Sequence, residues 1–197
     1  MKEALDITPI GADALGQADA AIAEAVLPIH HAPAIRFIGK MSDIADQPQM
    51  RVLCGSLIAW GMLAGNRRLA RAGTRMLLAH EAATAVKSFV KHRVDRTRPR
   101  SLSDGEAPLI RSGGSRDKEK TSFPSGHSAG AAATARAFAR EFPEHSAAVY
   151  AGAGLVALAQ IPRCAHYPTD VGAGLALGVA AEAFVHTLFP ARLDARL

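Results

Sequence analysis

The fold of this chain is constrained most by its long segments of alanine, leucine and glycine, which contain no run of alternating β-branched and polar residues. A half-buried β-strand would need such alternation, whereas these segments are typical of helices. We therefore expect an all-α fold, a bundle of about six helices. The predicted helices span residues 16–26, 50–65, 69–91, 125–141, 147–160 and 169–188.

The chain is 197 residues long, which is enough for one well-buried core and favours a single domain. We expect a catalytic helical core at residues 50–190, preceded by an N-terminal amphipathic, interfacial segment at residues 1–49. The polar segment 99–123 is expected to be a substrate-facing loop. Cys54 and Cys164 are too few for a disulfide framework and have no metal-binding spacing.

The segment Pro124-Ser125-Gly126-His127 precedes a run of small residues, 129–139, that predicts a helix. Ser125 to His127 would then lie at a helix N-terminus, where unpaired backbone N–H groups and the helix dipole attract anions. Gly126 lets the backbone approach a ligand closely, and Ser125 offers a hydroxyl group. His127 could donate a proton to a departing alkoxide. The alternative is an ordinary helix cap, with Ser125 as the N-cap residue.

A second segment suited to anions precedes it, with Lys91 seven residues before Arg98-Pro99. Residues seven apart lie nearly on one face of a helix, so both cations can point the same way. Pro99 ends the element and leaves the Arg98 guanidinium free to hold two phosphate oxygens, with Lys91 as a point charge. On charge alone, a solvated basic face or a nucleic-acid patch explains these residues as well.

The third segment contains His166 four residues before Asp170, with Pro168 between them. Pro168 suits the first turn of the last predicted helix, so His166 would lie just before that helix. The Asp170 carboxylate could then accept a hydrogen bond from one imidazole nitrogen and leave the other free to attack. A lone pair of this kind is more often structural, but three such segments in series favour a phosphate-cleaving site.

In chain order, the three segments resemble the three-part signature of the phosphatidic acid phosphatase type 2 superfamily, over about residues 50–190. That superfamily also contains soluble bacterial acid phosphatases and vanadium haloperoxidases. The resemblance implies that His166 takes the phosphoryl group, that Asp170 orients it and that His127 protonates the leaving group. It implies no metal and no cofactor. The residues that it implies for holding the phosphate oxygens are Lys91, Arg98, Ser125 and Gly126.

One position departs from the pattern of the superfamily. There the third segment opens with Ser-Arg, and the arginine lies six residues before the nucleophile. Here the two positions hold Ala159 and Gln160, while Arg163 follows three residues later. Either Arg163 holds phosphate from a shifted position, or the site has one cation fewer.

The positions of the arginines favour membrane insertion more clearly than the lengths of the apolar stretches do. The uncharged stretches, residues 52–66 and 146–162, are shorter than the roughly 20 residues of a spanning helix, and the mean hydropathy is only +0.08. Four arginines fall within residues 67–75, and others lie near residue 140 and at the C-terminus. If these face the cytoplasm, an odd number of crossings separates them from all three segments.

We therefore predict five transmembrane helices in a bacterial inner membrane, with the active site on the periplasmic or outer face. Residues 1–49 carry three basic and seven acidic side chains, which suits a segment outside the cytoplasm. Charged residues within the apolar stretches would then face the interior of the bundle.

The predicted function is a membrane phosphatase that hydrolyses lipid phosphate or pyrophosphate monoesters through a phosphohistidine intermediate. The alternatives are a soluble acid phosphatase or vanadate-dependent haloperoxidase on the same scaffold, and a catalytically decayed membrane protein, which Gln160 favours. Residues 91–120 carry nine Lys and Arg against five Asp and Glu. We do not expect nucleic-acid binding, because aromatic residues are scarce and no groove-reading motif accompanies this charge. Phosphatidate, phosphatidylglycerophosphate, isoprenyl pyrophosphate and a lipid A precursor all remain open as substrates.

Overall fold

The structure, a computed structural model, describes residues 8–9, 14–105 and 108–189. Within these ranges the chain is mostly helical and forms seven α-helices, joined by short turns and 3-10 helices. The α-helices are α1 (Ala14–Val26), α2 (Pro33–Ser42), α3 (Gln47–Leu63), α4 (Arg67–Lys91), α5 (Gly126–Glu141), α6 (Ser146–Ala159) and α7 (Pro168–Leu188).

Six of these helices correspond to the predicted ones, and their ends differ from the prediction by three residues at most. Helix α2 has no counterpart in the prediction. It begins with Pro33, whose fixed φ angle suits the first turn of a helix, and it packs against α6. The segment before residue 50 therefore does more than lie along the bundle, because α2 and the 3-10 turn Asp43–Ala45 reach the site that is described below.

Helix α5 lies at the centre of the bundle and packs against α4, α6 and α7. Its buried face is made of small residues such as Ala129 and Ala133. Helix α7 approaches this face so closely that a Cβ atom at Gly178 would lie 2.2 Å from the carbonyl oxygen of Ala129, and one at Gly174 would lie 2.5 Å from that of Ser125. The two backbones are therefore in direct contact, which sets the distance between the N-termini of α5 and α7.

A small antiparallel sheet departs from the all-α prediction. Its strands are β1 (Thr8–Pro9), β2 (Val94–Arg96) and β3 (Leu109–Ser112), in the order β1-β3-β2. Arg96 lies opposite Ile110 in the pairing of β2 with β3. The segment between α4 and α5, predicted as a loop, thus folds back on itself, and the sheet holds Arg96 under the active-site end of the bundle.

The arginine-rich end of the bundle lies opposite the three predicted motifs. Arg75 is about 24 Å from the C-terminus of α4 along the helix axis. It is buried and donates to His186 Nδ1 at 2.6 Å, while buried Glu182 accepts from Arg136 and Arg140 at 2.6 Å each. Arg75 and Glu182 thus face the bundle interior, as predicted for the charges within the apolar stretches, whereas Glu81 pairs with Arg51 and its side chain is 41% exposed. The C-terminal arginines of the prediction lie outside the described residues.

By length and composition, one helix of the described residues, α7, could cross a membrane. The prediction of five crossings is therefore not confirmed, and it remains a prediction for the other helices. The outer faces of the bundle nevertheless expose large apolar side chains, with Leu63 83%, Leu155 70% and Val52 69% exposed. Single exposed apolar residues are common in soluble proteins, but this many large ones mark a surface that contacts a partner or lipid. Other exposed ones are Phe37, Trp60, Met62, Phe89, Leu158 and Phe184.

Candidate active site

The three motifs meet around one cavity of about 180 Å³ at the end of the bundle where α4 ends and α5 begins. The predicted site residues that line it are Lys91, Arg98, Gly126, His127, Arg163 and His166. Lys87, Arg100, Gln160 and Ala165 complete the lining. Among these described residues none is acidic and five are cationic, so the cavity is suited to an anion.

His166 lies in the turn between α6 and α7 and is only 4% exposed. The turn is held in place by the carbonyl oxygen of Gln160, which accepts from the backbone N–H groups of Ala165 at 3.2 Å and His166 at 3.3 Å. Burial, together with the nearby Arg98 and Lys91 charges, lowers the pKa of His166 to about 4, although Asp170 opposes this shift. The imidazole is therefore neutral at physiological pH, which is the form that can attack phosphorus.

Asp170 lies behind His166 rather than in the cavity. Its Oδ2 atom is 3.7 Å from His166 Nδ1, which is ion-pair distance but longer than a direct hydrogen bond. The same oxygen accepts from the backbone N–H of Tyr167 at 2.9 Å and from the hydroxyl of Ser122. Asp170 is thus fixed by its own partners, and it places a negative charge beside Nδ1 while Nε2 is left to the cavity.

A buried arginine that the sequence analysis did not single out supports this carboxylate. Arg96 of β2 donates to Asp170 Oδ1 and, at 2.6 Å, to Asp19 Oδ2 of α1. Asp19 also accepts from the backbone N–H of Thr169 at 3.1 Å. The chain Asp19–Arg96–Asp170 therefore ties α1 and the small sheet to the start of α7. A lone acidic residue at position 19 gives no local signal of such a contact.

The two cations of the first motif are anchored by backbone carbonyl groups. Lys91 donates to the carbonyl oxygen of Thr121. Arg98 donates to those of Lys118 at 2.7 Å and Ala165 at 3.0 Å, and burial lowers its pKa from the usual value for a guanidinium. These bonds fix both side chains at the cavity wall and leave their remaining N–H groups available for an anion.

The second motif forms the N-terminus of α5. Ser125 is fully buried and does not line the cavity, because its hydroxyl oxygen accepts from the Ser128 backbone N–H at 3.3 Å and from the Ser128 hydroxyl at 2.9 Å. Ser125 is therefore the N-cap of the helix, and its role as a phosphate ligand remains a prediction. Its backbone N–H donates to the carbonyl oxygen of Asp170 at 3.0 Å, which joins the starts of α5 and α7.

His127 lies in the first turn of α5, and its Nε2 atom is 3.0 Å from Asp46 Oδ1 and 3.9 Å from Asp43 Oδ1. These carboxylates belong to the turn before α3 and place negative charge beside the imidazole. The ligand atoms of Asp43, Asp46 and His127 lie within 4.8 Å of one another, which is close enough to hold a metal ion. No other such group occurs among the residues that the structure describes. Both acidic groups are half-buried, and Asp43 is already paired with Arg163 at 3.1 Å.

Arg163 reaches the cavity although it is shifted from the usual position of the arginine. Its guanidinium donates to Ser42 Oγ at 2.7 Å and lies 3.1 Å from Asp43 Oδ1. Gln160 is buried and donates to the same Ser42 hydroxyl at 3.2 Å. Ser42, at the end of α2, thus positions both Gln160 and Arg163 in the motif that differs from the superfamily pattern. The cavity therefore still has an arginine beside Gln160.

An apolar groove of about 360 Å³ lies near the His127 side of the cavity. It runs between α3, α5 and α6, and it begins at Ile44 and Ala45, between the two carboxylates that contact His127. Ala131, one helical turn after His127, also lines it. The groove therefore leads away from the side of the cavity where His127 lies. Its other lining residues include Met50, Leu53, Leu57, Phe138, Val149 and Val156.

Two comparisons with known proteins identify relatives of this chain. The family model of the PAP2 superfamily matches residues 72–194. A solved structure with the same fold is described as the first transmembrane PAP2 type phosphatidylglycerolphosphate phosphatase from Bacillus subtilis; the match has a TM-score of 0.67 and 23% identity and covers 95% of this chain and 92% of that one. No curated protein matches the sequence. Since the family model covers more than half of the chain, including all three motifs, the chain belongs to the PAP2 superfamily.

Proposed function

We propose that this protein is a membrane-bound lipid phosphatase that works through a phosphohistidine intermediate. The observation that carries the proposal is the pairing of His166 with buried Asp170 at a cavity that also contains His127 and five cations. Membership of the PAP2 superfamily supports a phosphatase in general terms. No resident metal or cofactor is needed for the steps below.

The phosphate monoester binds in the cavity, where Lys91, Arg98 and Arg163 neutralise its oxygens. The N-terminal N–H groups of α5 add to this field, because they have no partners within the helix. Desolvation in the buried cavity strengthens each of these contacts. The charge that builds up on the equatorial oxygens in the transition state is thus stabilised by groups that are already in place.

In the first step the neutral Nε2 atom of His166 attacks phosphorus, and an N–P bond forms as the P–O bond to the lipid breaks. The Asp170 charge stabilises the imidazolium that develops at Nδ1. His127 gives its proton to the departing alkoxide. In the second step a water molecule attacks phosphorus, His127 takes a proton from it, and the N–P bond breaks to release inorganic phosphate.

The apolar groove favours a lipid over a soluble phosphate ester. It starts beside His127, which is the side from which the leaving group departs, and its lining is almost entirely apolar. A hydrocarbon chain attached to the leaving group can therefore enter the groove between α3, α5 and α6 while the phosphate stays in the cationic cavity. Each methylene that it buries there favours binding by about 0.8 kcal/mol.

We propose that helices α3 to α7 lie in the membrane with the cavity on the outer side. The exposed apolar side chains on α3, α4, α6 and α7 support this placement. The arginine-rich end near Arg68 and Arg140 would then face the cytoplasm, as the positive-inside rule favours. Helix α6 has 14 residues and spans about 21 Å, so it would require local thinning of the bilayer or flanking polar turns at the interface.

The test is phosphate release by the purified protein from short-chain lipid phosphates, combined with trapping of the intermediate. A rapid quench into alkaline detergent, in which phosphohistidine survives, should trap a labelled enzyme with the wild type and not with His166→Ala. His145→Ala, at the opposite end of the bundle, is the matched control and should be labelled like the wild type. Labelling of His166→Ala would refute the assignment. Bromide oxidation with added vanadate, in place of phosphate release, would identify a peroxidase.

A further inference from the structure

We propose that Lys87 holds a second phosphate group, carried by the leaving group of the substrate, beside the phosphate that is cleaved. The inference rests on the proposed phosphatase function and specifies its substrate class. Lys87 and Lys91 are separated by four residues, or about 6 Å along the axis of α4. The substrate is therefore a lipid whose terminal phosphate is followed by another phosphate within that distance.

The position of Lys87 is fixed by close packing against the start of α5. Its side chain lines the same cavity as His127 and His166. A Cβ atom at Gly126 would lie 3.0 Å from Lys87 Cδ and 3.5 Å from Nζ, so the aliphatic stem crosses the face of the glycine. Glycine at this position thus lets the ammonium group lie beside the first N–H groups of the helix.

Lys87 differs from the other four cations of the cavity because its ammonium group has no direct partner among the described residues. The partners of the others are Thr121 for Lys91, Lys118 and Ala165 for Arg98, Glu119 for Arg100, and Ser42 and Asp43 for Arg163. Two carboxylates act on Lys87 from a greater distance, Asp46 and Glu81. Each is engaged elsewhere, Asp46 with His127 at 3.0 Å and Glu81 with Arg51 at 2.7 Å.

This arrangement is unfavourable unless an anion is present. Lys87 and Lys91 are like charges at positions i and i+4 of one helix, which repel each other. The N-terminus of α5 carries a partial positive charge, so a half-buried ammonium beside it adds a second unfavourable term. An anion at Lys87 relieves both. In the proposed mechanism Lys91, Arg98 and Arg163 hold the phosphate that is cleaved, so we assign the anion at Lys87 to a further group.

The second phosphate belongs to the leaving group because of where Lys87 lies. Gly126, which it covers, directly precedes His127, the proton donor to the leaving group. Asp46 acts on both Lys87 and His127, and the apolar groove opens at the neighbouring Ala45. Two kinds of lipid place a phosphate there. In a pyrophosphate the second phosphate is itself the leaving group, and in a headgroup with a phosphodiester a few carbon atoms separate the two.

The experiment compares kcat/KM for three short-chain lipids: a simple monophosphate, a pyrophosphate, and a monophosphate whose headgroup also contains a phosphodiester. We expect the wild type to prefer one of the last two. The preference is measured as kcat/KM for the preferred lipid divided by kcat/KM for the simple monophosphate. In Lys87→Met this ratio should fall roughly 10- to 100-fold, because the variant loses one charge-assisted hydrogen bond. Lys87→Arg should recover most of it. Lys40→Met, on the exposed face of α2, is the control and should leave the ratio as it is.

The lipid whose ratio falls in Lys87→Met identifies the source of the second phosphate. An equal loss on all three lipids, or no loss on any, would overturn the inference. If the wild type cleaves none of them, the proposed function fails, and calorimetry tests Lys87 without turnover. The wild type should then bind inorganic pyrophosphate more tightly than inorganic phosphate, and Lys87→Met should lose that difference. Equal affinities in the wild type would refute the role of Lys87.

Discussion

Replacing Asp170 with asparagine removes the charge beside the proposed nucleophile and keeps the shape of the side chain. Breaking a buried ion pair costs about 3–5 kcal/mol when the remaining charge is left without a partner. In the variant Arg96 still has an ion-pair partner, Asp19 at 2.6 Å. We therefore expect the variant to fold, with a loss of stability at or below the lower end of that range. The effect on turnover should be much larger, on the order of 10³- to 10⁴-fold in kcat, because the imidazolium that forms at His166 loses its counter-charge.

The matched control is Asp19→Asn. Asp19 is buried as deeply as Asp170 and binds the same guanidinium of Arg96, but it does not contact His166. Its replacement should lower the midpoint of thermal unfolding by a similar amount and reduce kcat by less than about tenfold. Both variants are assayed by phosphate release after their folding has been checked by circular dichroism in detergent. If folded Asp170→Asn keeps its turnover within tenfold of the wild type, or if the two variants lose equal activity, the role assigned to Asp170 is refuted.

Three further predictions follow from the described geometry. Since the pKa of His166 is lowered to about 4, the neutral form is lost only as the pH falls through that value, so the acid limb of kcat/KM should lie near pH 4 and not near 6.5. Gly178→Ala should lower the free energy of unfolding by about 1–3 kcal/mol in chemical denaturation, because its Cβ has no room, whereas Gly172→Ala, with nothing within 4 Å, should not. In a cysteine-free background, Ser112→Cys should react with an impermeant thiol reagent on intact cells and Asn66→Cys should not; labelling at Asn66 alone would reverse the orientation.

The helices were predictable because their signals are local. Long apolar segments, bounded by residues such as Pro168 and the Ser125 cap, mark their own ends, so the predicted and observed bounds agree within three residues. The small sheet was not predictable, since its strands have only two to four residues and β1 pairs with a distant part of the sequence, Thr8 with Ile110. The short helix α2 lies within residues 1–49, where the sequence analysis predicted an interfacial segment with one helix, at residues 16–26.

The candidate site likewise combines residues with local sequence signals and residues whose contacts are distant in the sequence. Six of the residues that the three motifs predicted line one cavity, while Ser125 and Asp170 lie directly behind it. Their catalytic roles remain predictions. The supporting residues escaped notice because their contacts join distant parts of the chain: Asp19 binds Thr169, and Asp46 contacts His127. Lys87 did give a signal, a lysine one helical turn before Lys91, but its meaning depends on the approach of Gly126.

The glycine contact between α5 and α7 divides the protein into a part that must stay fixed and a part that can change. His127 and Asp170 lie at the N-termini of α5 and α7, whose backbones are in contact. A larger side chain at Gly174 or Gly178 would push the two helices apart and so change the distance between these two residues. The groups around the leaving group come instead from the turn between α2 and α3, which contacts α5, and from Lys87 of α4. Selection for a new lipid headgroup can therefore act on the turn between α2 and α3 and on Lys87 while the phosphoryl-transfer geometry is preserved.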